Sequence, residues 1–121
     1  MITKLTALTA LTALSFDASA EMREVDHVNN HCKGVIEKVL NDKSRVDCLT
    51  STHAIEYDYG HKWAEAIGQS LFYAAMTNRK AGIVLIVKPE TKNKYLNRLR
   101  RAIIYHNLKI NVEILTIEDH E

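Results

Sequence analysis

A mixed α/β sheet is the fold this 121-residue sequence predicts, and three observations predict it. Two short apolar runs flank a turn-rich tetrapeptide near the start, so the first strands pair as hairpins. The apolar spacing then becomes helical over residues 61–78. After that helix "AGIVLIVK" is continuously apolar, as a strand covered on both faces is.

Residues 1–20 are set apart first. A lysine, an apolar run broken only by threonines, and then Ala18-Ser19-Ala20 follow the charged, apolar, small-residue order of a secretory signal peptide. The run is too short for a membrane span, and its recurring Leu-Thr-Ala offers no charged face for an amphipathic first helix. Residues 21–121 then form a single domain, periplasmic or secreted and with no membrane association once the signal peptide is removed. A composition 46% hydrophobic and 26% charged suits one soluble core.

Within that domain, residues 21–30 are a polar lead-in or the first turn of a helix through Cys32. "VIEKVL" and "SRVDCL" flank Asn41-Asp42-Lys43-Ser44 and read as a hairpin. Residues 50–53 lead into "AIEYDY", where Ala54, Glu56 and Asp58 share one face and Ile55, Tyr57 and Tyr59 the other. Tyr57 and Tyr59 are core or edge residues. In the helix that follows, Trp63, Ile67 and Leu71 are four apart, and Phe72, Ala75 and Met76 extend the stripe. Gly68 inside it allows close approach to a sheet. Pro89 ends the central strand, residues 91–106 form a second helix with Leu96, Leu99 and Ile103 inward, and "LKINVEILTI" supplies the last strand.

Cys32 and Cys48 are the only cysteines, and in an oxidising compartment they pair as a disulfide. A zinc site with His27 and His31 is the alternative, but the usual paired ligand spacings are absent. The net charge of +1 is uninformative, and it stays +1 without the signal peptide because Lys4 and Asp17 leave together. Its distribution says more. Residues 79–109 carry nine basic side chains against the single acid Glu90, whereas residues 110–121 carry four acids and no Lys or Arg. A basic surface beside an acidic site suits a polyanion, although charge alone favours a solvated helix face. Kinase, serine-hydrolase and zinc-protease readings have no support, for want of a Gly-rich phosphate loop, a Gly-x-Ser-x-Gly elbow or a His-Glu-x-x-His pair.

The chemistry concentrates on the early strands. On a hairpin-paired sheet Asp47 and Glu56 lie side by side, and Glu37 on the preceding strand reaches the same edge. Three converging carboxylates suit Mg²⁺ or Mn²⁺, hard cations that prefer oxygen ligands. The order Glu37, Arg45-Val46-Asp47, Ala54-Ile55-Glu56, Lys62-Trp63 and Gly68-Gln69 running to Tyr73 resembles the PD-(D/E)XK nuclease superfamily, over residues 32–115.

That resemblance implies a restriction-endonuclease-like αβββαβ core with an additional C-terminal helix and strand. It also implies metal-dependent hydrolysis of nucleic acid, DNA ahead of RNA. Asp47 and Glu56 become the main metal ligands, with Glu37 in the supporting acidic position. The pattern expects lysine two places after the second acid, and here that place holds Asp58. An extra acid can join a metal site but cannot supply the missing positive charge. Lys62 is the candidate for a relocated lysine, as in other members, and it shares a helical face with Glu65 and with Gln69, which would orient a water or a ligand. Otherwise the fold survives without turnover, as a module binding nucleic acid or a protein partner at the cell envelope. A structural envelope protein with merely solvated acids is the third reading. Lys92, Lys94, Arg98 and Arg101, spread around the second helix with Arg100, would hold phosphate with salt-sensitive affinity. Trp63 reads as a core anchor rather than a base-stacking platform, and His53 and His61 as loop residues rather than proton carriers.

Overall fold

The computed structural model describes residues 22–118, so the signal peptide read at residues 1–20 lies outside the described residues. Five strands make one sheet in chain order: β1 (Val35–Val39), β2 (Arg45–Leu49), β3 (His53–Tyr59), β4 (Lys80–Val87) and β5 (Ile110–Thr116). Three helices accompany them: α1 (Glu24–His31) before β1, α2 (Trp63–Thr77) between β3 and β4, and α3 (Lys92–Tyr105) between β4 and β5. β1, β2 and β3 are antiparallel neighbours, whereas β3, β4 and β5 run parallel. The connections dictate this, because a tight turn can only reverse a strand and a helical crossover returns the chain in the same direction. The mixed sheet is the one the sequence predicts.

Each sheet face carries its own core. On one face Val28 of α1 packs with Cys48, Tyr57, Val84 and Ile86. On the other, Ala66 of α2 and Leu99 of α3 pack with Ile83, Leu85 and Val87. Alternate residues of β4 therefore serve opposite faces, and every position after Lys80 is buried. That double cover is why its sequence shows no polar alternation.

Two junctions place the residues that matter later. A 3₁₀ turn, Gly60–Lys62, joins β3 to α2. A Cβ on Gly60 would stand 2.6 Å from the Tyr95 ring and 2.8 Å from Val87, so only glycine lets α3 settle over this turn. At the other end of α2, Asn78 adopts a left-handed conformation (φ 54°) and its N–H donates to the Ala74 carbonyl, a common way to stop a helix.

The apolar face of α2 differs from the expected one. Ala66 and Ser70 are its buried residues, while Phe72 and Met76 are exposed and nothing lies within 4 Å of where a Gly68 Cβ would stand. Gly68 makes no close approach to the sheet. The cause is composition: α2 is apolar or small almost all round, so its period does not single out one side. No helix among the described residues is long and apolar enough to cross a membrane.

Cys32 and Cys48 form a disulfide that ties the end of α1 to β2 across a sequence separation of 16. The zinc alternative loses both thiols, and its His31 is engaged elsewhere: Nδ1 lies 2.6 Å from the Tyr57 hydroxyl and Nε2 2.8 Å from Glu113 Oε2. A loop of this size contributes about 3 kcal/mol in the chain-entropy account of cross-links. Replacing both cysteines by serine should therefore lower the urea midpoint of unfolding by the equivalent of about 3 kcal/mol. An unchanged midpoint would mean that the bond does not constrain the unfolded chain.

Candidate active site

The site begins where two strands part. β2 and β3 are paired at Cys48↔Ile55 and Leu49↔Ala54, and the pairing stops there. Beyond it the N–H groups of Tyr57 and Tyr59, two residues apart and so on one side of β3, have lost a strand partner. Carboxylates take its place. The Tyr57 N–H donates to Asp47 Oδ2 at 2.9 Å, and the Tyr59 N–H donates to Glu24 Oε2 at 3.4 Å. Glu24 comes from the first turn of α1 and Asp47 from β2, so one acid enters the gap from the helix and one from the neighbouring strand.

Glu56 and Asp58 lie between these two along β3. Both are buried, at 5% and 4% exposure. Glu56 lies close enough to Asp47, and Asp58 to Glu24, for each carboxyl group to act on its neighbour's charge. Like charges at that separation cannot all persist out of water. Burial first, and then the hydrogen bond and charge of Asp47, push Glu56 well above the usual carboxylate range. Asp58 is pushed up to about 8 by burial and by the charge and hydrogen bond of Glu24, with Lys62 opposing the shift. Asp47 is raised as well, because burial outweighs the hydrogen bonds from Glu56 and Tyr57 that favour its charge. Without a cation the cluster therefore keeps protons at neutral pH.

Lys62 brings an ammonium into contact with this group. Its Nζ stands 3.7 Å from Glu24 Oε2, and its charge reaches Asp58. Tyr73 of α2 packs on Val46, Leu49 and Ala54, and its hydroxyl pKa is raised by burial and then by the charges of Glu56 and Asp47. Asp58 Oδ2 is buried with no hydrogen-bond partner, an uncompensated acceptor of the kind that a cation can satisfy. Among the described residues no three Asp, Glu, His or Cys side chains stand as a cation cage.

The remaining sequence candidates fall in different places. Glu37 sits on exposed β1 in a left-handed conformation (φ 52°), with Oε1 3.4 Å from Arg45 Nη1, although its charge is still felt at Asp47. Gln69 and Glu65 are exposed on α2, and no hydrogen bond joins Gln69 to the carboxylates. Lys94, Arg98 and Arg101 are exposed on α3, Lys92 is partly exposed, and Lys94 Nζ lies 5.2 Å from the centre of the Tyr95 ring. A cavity of about 720 Å³ opens on the α1 side, lined by His27, His31, Tyr59 and His61 among others, and none of the four clustered carboxylates lines it.

Glu24 is the residue that sequence reasoning missed. Glu24, His27, Val28 and His31 recur at i, i+3, i+4 and i+7, and His27 and Val28 are buried, so a helical face was there to be read. The chain matches no protein-family model, no curated protein and no solved structure.

The raised acids have a consequence for stability. An acid whose folded pKa exceeds its unfolded value holds a proton the unfolded chain has lost, so folding takes up protons and stability falls as pH rises through that window. From ordinary values of 3.8 and 4.5 to the raised value of about 8 for Asp58, the metal-free protein should lose stability with rising pH. The slope is at most about 1.4 kcal/mol per pH unit for each group. Urea unfolding of wild type against Glu56→Gln and Asp58→Asn, in EDTA, checks this: the variants should flatten the decline. A wild-type protein growing more stable over the same interval would contradict the assigned protonation.

Proposed function

We propose that the chain is an exported, divalent-metal-dependent nuclease with a restriction-endonuclease-like core of the PD-(D/E)XK kind. The observation that carries the reading is the Lys62 ammonium, 3.7 Å from Glu24, at the rim of a group of four carboxyls of which Glu56 and Asp58 are buried. Such a group is costly to assemble unless its charge is used. The donor set fits a hard cation: carboxylate oxygens only, one of them buried and without a partner. Asp47, Glu56 and Asp58 would hold Mg²⁺ or Mn²⁺, with Glu37 left outside by its pairing to Arg45. When bound, the cation would supply an activated water and polarise a phosphoryl oxygen.

The chain's own residues do the rest. The Tyr57 N–H fixes the orientation of Asp47, so this ligand needs little rearrangement. Glu56 and Asp58 must release their protons before they can serve as ligands, so cation affinity rises with pH. Glu24 holds the ammonium of Lys62 beside the cluster, where it offsets negative charge gathering on phosphate oxygens in the transition state. Lys62 thereby takes the role that Asp58 cannot fill. The Cys32–Cys48 disulfide supports export to the periplasm or beyond the cell, an oxidising setting in which it persists.

A second reading, a nuclease-like module that binds nucleic acid or an envelope partner without turnover, is favoured by one observation: Asp58 is buried where the resemblance expects lysine. Plasmid nicking in Mg²⁺ separates the two. Asp47→Ala and Lys62→Ala should each reduce nicking by about 10²- to 10³-fold. Protein inert towards DNA and RNA with both Mg²⁺ and Mn²⁺ would leave the binding module standing.

A further inference from the structure

One surface feature near Lys62 is used by neither the fold nor the carboxylate cluster. Trp63 opens α2 one residue after Lys62 and packs one side of its indole on the core formed by α2, α3 and β4. It also lines a shallow groove of about 310 Å³ whose other wall is α3, with Arg98, Arg101, Tyr105 and His106. Arg98, Arg101 and Tyr105 follow one another at i, i+3 and i+7, so they form one ridge of the helix. Tyr105 is 83% exposed, and its ring meets His106 edge-on at 4.9 Å. Neither guanidinium forms an ion pair among the described residues.

Two unpaired guanidinium groups between aromatic rings make a particular kind of surface. Guanidinium forks match phosphate oxygens, and an aromatic ring left in water can stack on a nucleobase. The stretch from residue 79 to residue 109 has nine basic residues and one acid, so little on α3 competes for the anion. Stacking requires a base whose face is free, and in a duplex both faces are already covered. Trp63, which lines the groove, follows Lys62 directly in the chain.

We propose that the groove between Trp63 and the Arg98–Arg101–Tyr105 ridge binds single-stranded nucleic acid, the arginines holding phosphates and Tyr105 stacking on a base. The proposal deepens the nuclease reading by naming its substrate as a single strand, but binding in the groove needs no metal and no turnover. The test is fluorescence polarisation in EDTA with labelled oligothymidylate, oligouridylate and a duplex, each of roughly twenty nucleotides. Single strands should bind more tightly than the duplex. Tyr105→Ala, at an exposed position that leaves the core untouched, should weaken single-strand binding about tenfold. The double change Arg98→Gln with Arg101→Gln should reduce the log–log salt slope by about 1.4. Preference for oligothymidylate over oligouridylate, or the reverse, supports the proposal either way. Duplex binding as tight as single-strand binding would overturn it, as would an unchanged affinity in Tyr105→Ala or displacement by heparin that this variant does not alter. Intact binding without cleavage in Mg²⁺ or Mn²⁺ would instead sink the nuclease reading and leave the groove assignment in place.

Discussion

The hydrogen bond from the Tyr57 N–H to Asp47 Oδ2 is the contact on which the candidate site depends. A strand cannot leave its neighbour without exposing backbone donors, and an orphaned buried N–H costs as much as a lost hydrogen bond. Here the strands separate and side-chain carboxylates accept what the partner strand would have accepted. The exchange has a structural product: the acids are held at the divergence by the backbone itself. It has an electrostatic product too, since each acid drawn into the gap raises the energy of charging the next. Glu56 and Asp58 retain protons for that reason, and Lys62 is drawn to Glu24 for the same one.

The position of α1 follows from this arrangement and reinforces it. The helix packs Val28 into the core of its face, and the disulfide anchors its last turn to β2, the strand that carries Asp47. Its first turn is thereby aimed at the far end of β3, where Glu24 meets the Tyr59 N–H and the Lys62 ammonium. His31, bonded to Tyr57 and Glu113, ties the same helix to β3 and β5. A short helix of eight residues is marginal by itself, so these tethers and not its propensity hold it in place. On the opposite face, Gly60 performs a comparable service by letting Tyr95 of α3 close over the turn that delivers Lys62.

The two faces of the sheet divide the work. The side covered by α1 holds the tethers, while the side covered by α2 and α3 carries the lysine, Tyr73 and the basic-aromatic groove. Glu113 of β5 is paired with His31 on the α1 side.

The sequence by itself determined the strand and helix order, the shared face of Ala54, Glu56 and Asp58, and the pairing of Cys32 with Cys48. Those features are written in local periods and in residue types whose chemistry leaves few alternatives, such as a continuous apolar run for β4. It also placed Asp47 beside Glu56, because hairpin geometry relates neighbouring strands over short distances. Only the tertiary structure decided which face of α2 is buried, since a helix apolar nearly all round has no period to read, and so Gly68 and Phe72 turned out to face solvent. Only the tertiary structure brought Glu24 to the cluster and left Glu37 with Arg45. The reason is physical: the reach of one side chain across a gap depends on where the backbone parts, which no single stretch of sequence contains.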